Sequence, residues 1–170
     1  MPVILRDAKP EDAPVLVELI RRLADYERLA HEVVADADKL AAHLADDAQP
    51  RCHAVLAEAD GEPTGFALYY WTYSTFLTDW GIYLEDLFVR ESFRGQGIGF
   101  ALLAELARRV QEVGGHRLTW QVLDWNAPSI SFYESLGARS LEEWKTMRLE
   151  GEALERVAFR AQHALRRLDD

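Results

Sequence analysis

The strongest constraint on this chain is Arg94-Gly95-Gln96-Gly97-Ile98-Gly99, with glycines at alternate positions. It lies between an apolar segment, Ile82 to Val89, and an amphipathic one marked by Leu102, Leu103, Leu106 and Val110. β-branched and aromatic residues before the glycines and helical spacing after them predict a strand, a tight connection and a helix. Two demands would put glycines at such a junction. One is a tight turn and nothing more. The other is an anion site, where missing side chains let backbone N–H groups approach a phosphate and the helix N-terminus adds partial positive charge. The spacing does not fit the G-x-G-x-x-G of dinucleotide folds, because Phe100 stands where the last glycine would be. It also lacks the G-K-[ST] ending of nucleoside-triphosphate loops.

The rest of the chain supplies a sheet and its cover. Pro2 to Arg6 reads as a strand, and Lys9-Pro10-Glu11-Asp12 as the start of a helix whose Val15, Leu16, Leu19, Ile20 and Leu23 form one apolar face running to about Tyr26. A shorter helix follows over Asp36 to Leu44. Cys52 to Ala57 and Gly65 to Tyr73 read as a hairpin turned at Asp60-Gly61-Glu62-Pro63, followed by a loop, Ser74 to Gly81. After the glycines, Gly114-Gly115 ends the helix and His116 to Leu123 resumes strand character. Asn126 to Leu136 is a short helix closed by Gly137, Glu142 to Leu149 is a last strand, and Ala153 to Leu168 is a helical tail. The expected fold is a mixed α/β domain over 1–170, with a mostly antiparallel central sheet flanked by helices.

A length of 170 residues suits one domain with a substantial core, and five Trp, six Tyr and seven Phe can fill it. The formal charge of -10 and the lack of any Lys/Arg run argue against a nucleic-acid partner, whose phosphates need clustered cations. The same charge means that an anion could be held only by local donors. Cys52 is the single cysteine, so no internal disulfide forms and a reducing compartment, the cytoplasm, is expected. No signal-peptide core or long apolar run is present, so neither export nor membrane spanning is expected. The five histidines, at 31, 43, 53, 116 and 163, have no metal-ligand spacing among themselves or with Cys52, and no metal is expected.

Glu85 and Asp86 interrupt the apolar strand before the glycines. Adjacent strand residues point to opposite faces, so the two acids should not share one job. Beside an anion site, a carboxylate there can bind an ammonium and accept its proton. Ser129, Phe132, Tyr133 and Leu136 have helical spacing, so Tyr133 is either a core aromatic or a phenol available as a general acid. Asn126 fits an N-cap with Pro128 in the first turn.

Arg94-x-x-Gly97-x-Gly99 resembles the [Q/R]-x-x-G-x-[G/A] pyrophosphate motif of the GCN5-related N-acetyltransferase superfamily. Tyr26-Glu27, Gly65-Phe66-Ala67-Leu68-Tyr69-Tyr70, Tyr83-Leu84-Glu85-Asp86-Leu87-Phe88-Val89 and Trp125-Asn126-x-Pro128-Ser129-Ile130-x-Phe132-Tyr133 are similar, in the same order, to its diamine acetyltransferase branch. The matches run from about Val3 to Leu149. The resemblance implies that acetyl-CoA is held by the backbone of Leu87, Phe88 and Val89, by Arg94, Gly95, Gln96, Gly97, Ile98, Gly99 and Phe100, and by Asn126, Ala127, Pro128, Ser129 and Tyr133. It implies a small primary amine bound near Tyr26, Glu27, Glu85, Asp86, Thr119, Trp120 and Gln121, with Glu85 as base and Tyr133 as the acid that protonates the thiolate. A homodimer is implied as well. Arg28-Leu29-Ala30-His31 is poorer in acids than the corresponding stretch of spermidine enzymes, which argues against long polycations as substrates. A non-catalytic acyl-CoA sensor and a peptide N-acetyltransferase are the alternatives.

Overall fold

Period-two apolar segments become a five-stranded sheet in the computed structural model, which describes residues 2–45 and 50–165, with side chains described to residue 160. The chain divides into two compact units, Met1–Trp125 and Asn126–Asp170. The first contains β1 (Val3–Asp7), α1 (Ala13–Glu27), α2 (Ala37–Leu44), β2 (His53–Ala59), β3 (Glu62–Ser74), β4 (Asp79–Val89), α3 (Ile98–Glu112) and β5 (Arg117–Thr119). The strands lie in the order β1-β2-β3-β4-β5. All neighbours are antiparallel except β4 and β5, which are parallel and joined through α3. The mixed α/β architecture and mostly antiparallel sheet are those expected.

Each face of the sheet has its own cover. Leu16, Leu19 and Leu23 of α1 pack with Ala54, Leu56, Phe66, Leu68 and Phe88, all fully or nearly fully buried. Fully burying a Leu is worth roughly 2 kcal/mol, so these side chains are a large part of what fixes α1 on the sheet. The opposite face carries Val55, Ala67, Tyr69 and Leu84, and the buried Leu102, Leu103, Leu106 and Val110 form the apolar stripe of α3. Arg109 fastens α3 to that face, donating to the Tyr69 hydroxyl at 2.8 Å and pairing with Asp7 at 2.6 Å and Glu105 at 2.8 Å. Cys52 packs against the α1 cluster, whereas His53 stacks on Tyr69 across the sheet, so the two side chains face apart. Burial pushes the Cys52 thiol up and the His53 imidazole down, and neither is activated.

Several boundaries move. The β3–β4 hairpin is longer than its composition suggests: Ser74 pairs with Asp79 and Tyr73 with Trp80, leaving only 75–78 as the loop. β5 is shorter, ending at Thr119 rather than Leu123.

In the second unit, α4 (Ala127–Ser135) and α5 (Gly151–Leu165) are the helices. The expected end of the tail at 166–168 lies outside the described residues. The strand expected over Glu142 to Leu149 does not form among the described residues. Leu141, Trp144 and Met147 recur every third residue, which gives no period-two face, and the Trp144 N–H closes a turn onto the Leu141 carbonyl at 3.2 Å. Among the described residues, no helix is long and apolar enough to cross a membrane.

Candidate active site

The site begins with a defect in the β3–β4 ladder. Leu68 pairs with Asp86 but Tyr69 pairs with Leu84, so Glu85 is an extra residue bulged out of β4. Because a bulge resets the alternation, Asp86 and Phe88 share the α1 face with Leu68 and Phe66. Leu84 and Ile82 turn to the α3 face, and Tyr83 comes back to the α1 face opposite Tyr70. Two adjacent acids thus escape the strict opposition of a regular strand.

Glu85 is exposed, while Asp86 is largely withdrawn from water. Burial, the charge of Glu85 and the charge of Glu27 together push the Asp86 carboxyl up to about 6. Glu27, the last residue of α1, is half-buried and its carboxyl is also pushed up by desolvation. These three carboxylates form one electrostatic cluster at the C-terminal end of α1 and the middle of β4. Tyr70 and Tyr83 stack beside it with ring centroids 5.1 Å apart, and burial and the Glu85 charge raise the Tyr70 phenol. The stacked pair was not singled out from sequence; its only signal is the bulge-corrected register, which requires the structure.

β4 then delivers the chain to the glycine loop. The parallel β4–β5 ladder covers Gly81 to Tyr83 opposite Arg117 to Thr119, while β4 continues to Val89 without it. Leu87, Phe88 and Val89 lie in that extension. Phe88 buries its side chain in the core, so its backbone is what faces outward chemistry. After a turn at Glu91–Phe93, Gly95 has φ 74° and Gly97 φ 82°, left-handed values that cost other residues about 1–2 kcal/mol. Gly97 is the N-cap of α3, and the first intrahelical bond there runs from Ala101 N–H to the Gly97 carbonyl at 2.9 Å. The N–H groups of Ile98, Gly99 and Phe100 therefore sit in the first turn, where α-helices leave donors free for an anion. Gln96 folds back to the Ser92 carbonyl at 3.3 Å. The Arg94 Nε donates to the Val89 carbonyl at 3.0 Å. A diphosphate would meet a cation, two glycine-shaped bends and a helix N-terminus, and the loop fits such a group.

Not all of the expected acceptor residues sit together. Tyr26 turns toward the loop, with the Arg94 Cζ 4.6 Å from its ring centroid, and its ring lies 6.3 Å from that of Trp125. Glu27, one position on, turns to the acids of β4. Thr119 closes β5 opposite Tyr83, with Trp120 half-buried and Gln121 exposed just beyond it. In the second unit, Asn126 caps α4, its side chain accepting from Ser129 N–H at 3.4 Å, with Ala127 and Pro128 in the first turn. Tyr133 lies half-buried on α4, its ring 5.3 Å from that of Phe132. Among the described residues, no group of three or more His, Cys, Asp or Glu is placed to hold a metal ion.

The sequence profile of the Acetyltransferase (GNAT) family matches residues 17–138. The thialysine N-epsilon-acetyltransferase of Sus scrofa is 38% identical over 167 residues, covering 92% of this chain and 97% of that protein. The L-ornithine N5-acetyltransferase of Arabidopsis thaliana is 32% identical over 197 residues, covering 90% of this chain and 86% of that protein. Among solved structures, an integron cassette protein from the mobile metagenome of V. cholerae superposes with a TM-score of 0.76 at 27% identity, covering 93% of this chain and 98% of its own. The chain belongs to the acetyltransferase (GNAT) family. Within that family it is an N-acetyltransferase.

Proposed function

We propose that this enzyme transfers acetyl from acetyl-CoA directly to a primary amine of a small molecule. The observation that carries the reading is the cluster of Glu27, at the end of α1, with Glu85 and Asp86, on the strand that leads to the glycine loop. It is an anionic cluster suited to an ammonium, on the strand that leads to a cationic and dipolar seat for a phosphate. The relatives named for thialysine and ornithine support a short amine bearing a second charged group. The local donors at Arg94 to Phe100 answer the difficulty of holding an anion on a chain of formal charge -10.

In the proposed mechanism the backbone of Leu87, Phe88 and Val89 pairs with the pantetheine amides as an added strand would. Asn126 to Ser129 contact the same arm. Acetyl-CoA supplies an activated acyl group as a thioester. Asp86 and Glu27 hold the ammonium, and Thr119, Trp120 and Gln121 bound the pocket. Glu85, exposed on its bulge, accepts the proton that must leave before the nitrogen lone pair can attack the carbonyl carbon. As the C–S bond breaks, the Tyr133 hydroxyl gives its proton to the departing thiolate, the second proton lost by the attacking nitrogen returns through water to the phenolate, and the proton on Glu85 passes to solvent. No acetyl group is carried by the protein.

The family profile runs from residue 17 to 138, across the boundary between the two units, which supports one functional domain over 1–170. A homodimer belongs to the proposal through the resemblance to the diamine branch, and the cytoplasm through the single thiol, Cys52. The test follows free coenzyme A release from acetyl-CoA against diamines, thialysine, lysine, ornithine, aminoglycosides and a peptide. Turnover with a short amine is expected. Turnover with the peptide alone would make the enzyme a peptide acetyltransferase, and binding without turnover on any amine would make it a sensor.

A further inference from the structure

Arg94 belongs to a ladder of cations and aromatic rings that runs through the first unit. The Arg28 guanidinium lies over the Trp125 ring, Cζ 5.3 Å from its centroid, and Trp125 leans on Tyr26 at 6.3 Å and 48°. Tyr26 then receives Arg94 at 4.6 Å, and Arg94 lies 5.6 Å from the ring centroid of Phe88. Arg94 itself meets rings from the end of α1 and from β4, and the first of these, Tyr26, is backed in turn by Trp125 from the segment after β5.

Chain geometry explains why Tyr26 can do this while its neighbour does something else. Successive helix residues point about 100° apart, so Tyr26 and Glu27 leave the last turn of α1 in different directions. Arg28 adopts φ 63° and ends the helix there, which fixes both side chains at its rim. Stacking engages the faces of a guanidinium and leaves its edges free, because its N–H groups all lie in the plane. The Nε hydrogen is taken by the Val89 carbonyl at 3.0 Å. The hydrogens on the two Nη atoms remain in that plane, in the fork that matches phosphate oxygens. A long side chain that would otherwise lose its rotamer freedom on binding is thereby held in advance.

We infer that Tyr26 is a positioning residue for the coenzyme A seat, its ring holding the Arg94 guanidinium edge-out toward the pyrophosphate. This rests on the reading of Arg94 to Gly99 as that seat. Tyr26→Leu removes the flat face and should raise the Kd for coenzyme A and the KM for acetyl-CoA about three- to tenfold. Tyr26→Phe keeps the face and should bind like the parent enzyme.

The experiment measures coenzyme A binding by calorimetry for the parent, Tyr26→Leu, Tyr26→Phe, Arg94→Ala and the Tyr26→Leu/Arg94→Ala pair. It also measures KM for acetyl-CoA and for acetylpantetheine, which lacks the pyrophosphate. Support is a Tyr26→Leu penalty that is present with acetyl-CoA, absent with acetylpantetheine, absent in Tyr26→Phe and not added to that of Arg94→Ala. If Arg94→Ala leaves coenzyme A affinity intact, Arg94 is no part of the seat and the positioning role is overturned, whereas a parent enzyme that does not bind coenzyme A at all would overturn the function reading itself. If Arg94→Ala weakens binding but Tyr26→Leu does not, or does so equally with acetylpantetheine, the positioning role alone is overturned. A thermal melt of each variant, with Tyr26→Phe as the conservative control, separates these outcomes from misfolding.

Discussion

The Glu27 carboxylate at the end of α1 lies within electrostatic reach of Asp86 on β4, whose proton is held on to about pH 6 by burial first, then by the charges of Glu85 and Glu27. Folding therefore brings like charges together in a partly dry place. That arrangement costs stability and is tolerable where a cation is to be bound, because an ammonium arriving in the cluster reverses the sign of the interaction.

The cost has a definite pH dependence. Asp86 titrates near 3.8 when unperturbed and near 6 in the folded protein, so the native state binds this proton more tightly than the unfolded one. The resulting stabilisation is complete below about 3.8 and is lost as pH rises through about 6. Asp86→Asn should therefore be more stable than the parent at pH 8, by on the order of 2 kcal/mol, and indistinguishable from it near pH 3. Denaturant titrations at both pH values check this, and equal stabilities at pH 8 would contradict it.

The same ionisation should appear in kinetics. A charged Asp86 attracts an ammonium and a neutral one does not, so kcat/KM for the acceptor should rise as pH passes about 6, before any later rise from amine deprotonation. Asp86→Asn should lose the limb near 6 and keep the later one. A parent profile with no inflection there would remove Asp86 from acceptor binding.

Tyr133→Phe should lower turnover by about a hundredfold, the usual range for losing a positioned general acid, and leave coenzyme A affinity within twofold. Single-turnover rates distinguish a chemical defect from one in product release. An unchanged single-turnover rate would sink the acid role.

Two glycines should separate stability from binding. At Gly97 an added Cβ would meet nothing within 4 Å, but φ is 82°, so Gly97→Ala strains the loop alone and should lose coenzyme A affinity at a cost of about 1–2 kcal/mol. At Gly65 an added Cβ would come within 2.6 Å of the Phe88 carbonyl oxygen, so Gly65→Ala must push β3 from β4 and should melt markedly lower. Thermal melts and calorimetry on both variants read the contrast.

What could be read from the sequence was what is local. Leu16, Leu19 and Leu23 mark a helix face whatever they pack on, and the alternate glycines after Val89 mark a strand-to-helix junction by their own backbone freedom. The bulge at Glu85 is different. It exists only in the pairing of Leu68 with Asp86 and of Tyr69 with Leu84, so the rule that adjacent acids oppose each other gave a correct generality and the wrong local geometry. The stacked Tyr70 and Tyr83 were hidden for the same reason. Tyr26 could be placed near a site by resemblance, but its contact with Arg94 joins residues 68 positions apart and has no local sequence signal. No strand forms over Glu142 to Leu149, where Leu141, Trp144 and Met147 recur every third residue and offer no period-two face.

Direct transfer from acetyl-CoA to a small amine can be followed by single-turnover mass spectrometry. The enzyme is mixed with one equivalent of acetyl-CoA, and thialysine or ornithine is then added. Direct transfer leaves the protein's mass unchanged before the amine, and afterwards puts one acetyl group on the amine with an equal amount of free coenzyme A. An acetylated protein before amine addition, or coenzyme A bound with no acetylated amine from any acceptor, would contradict it.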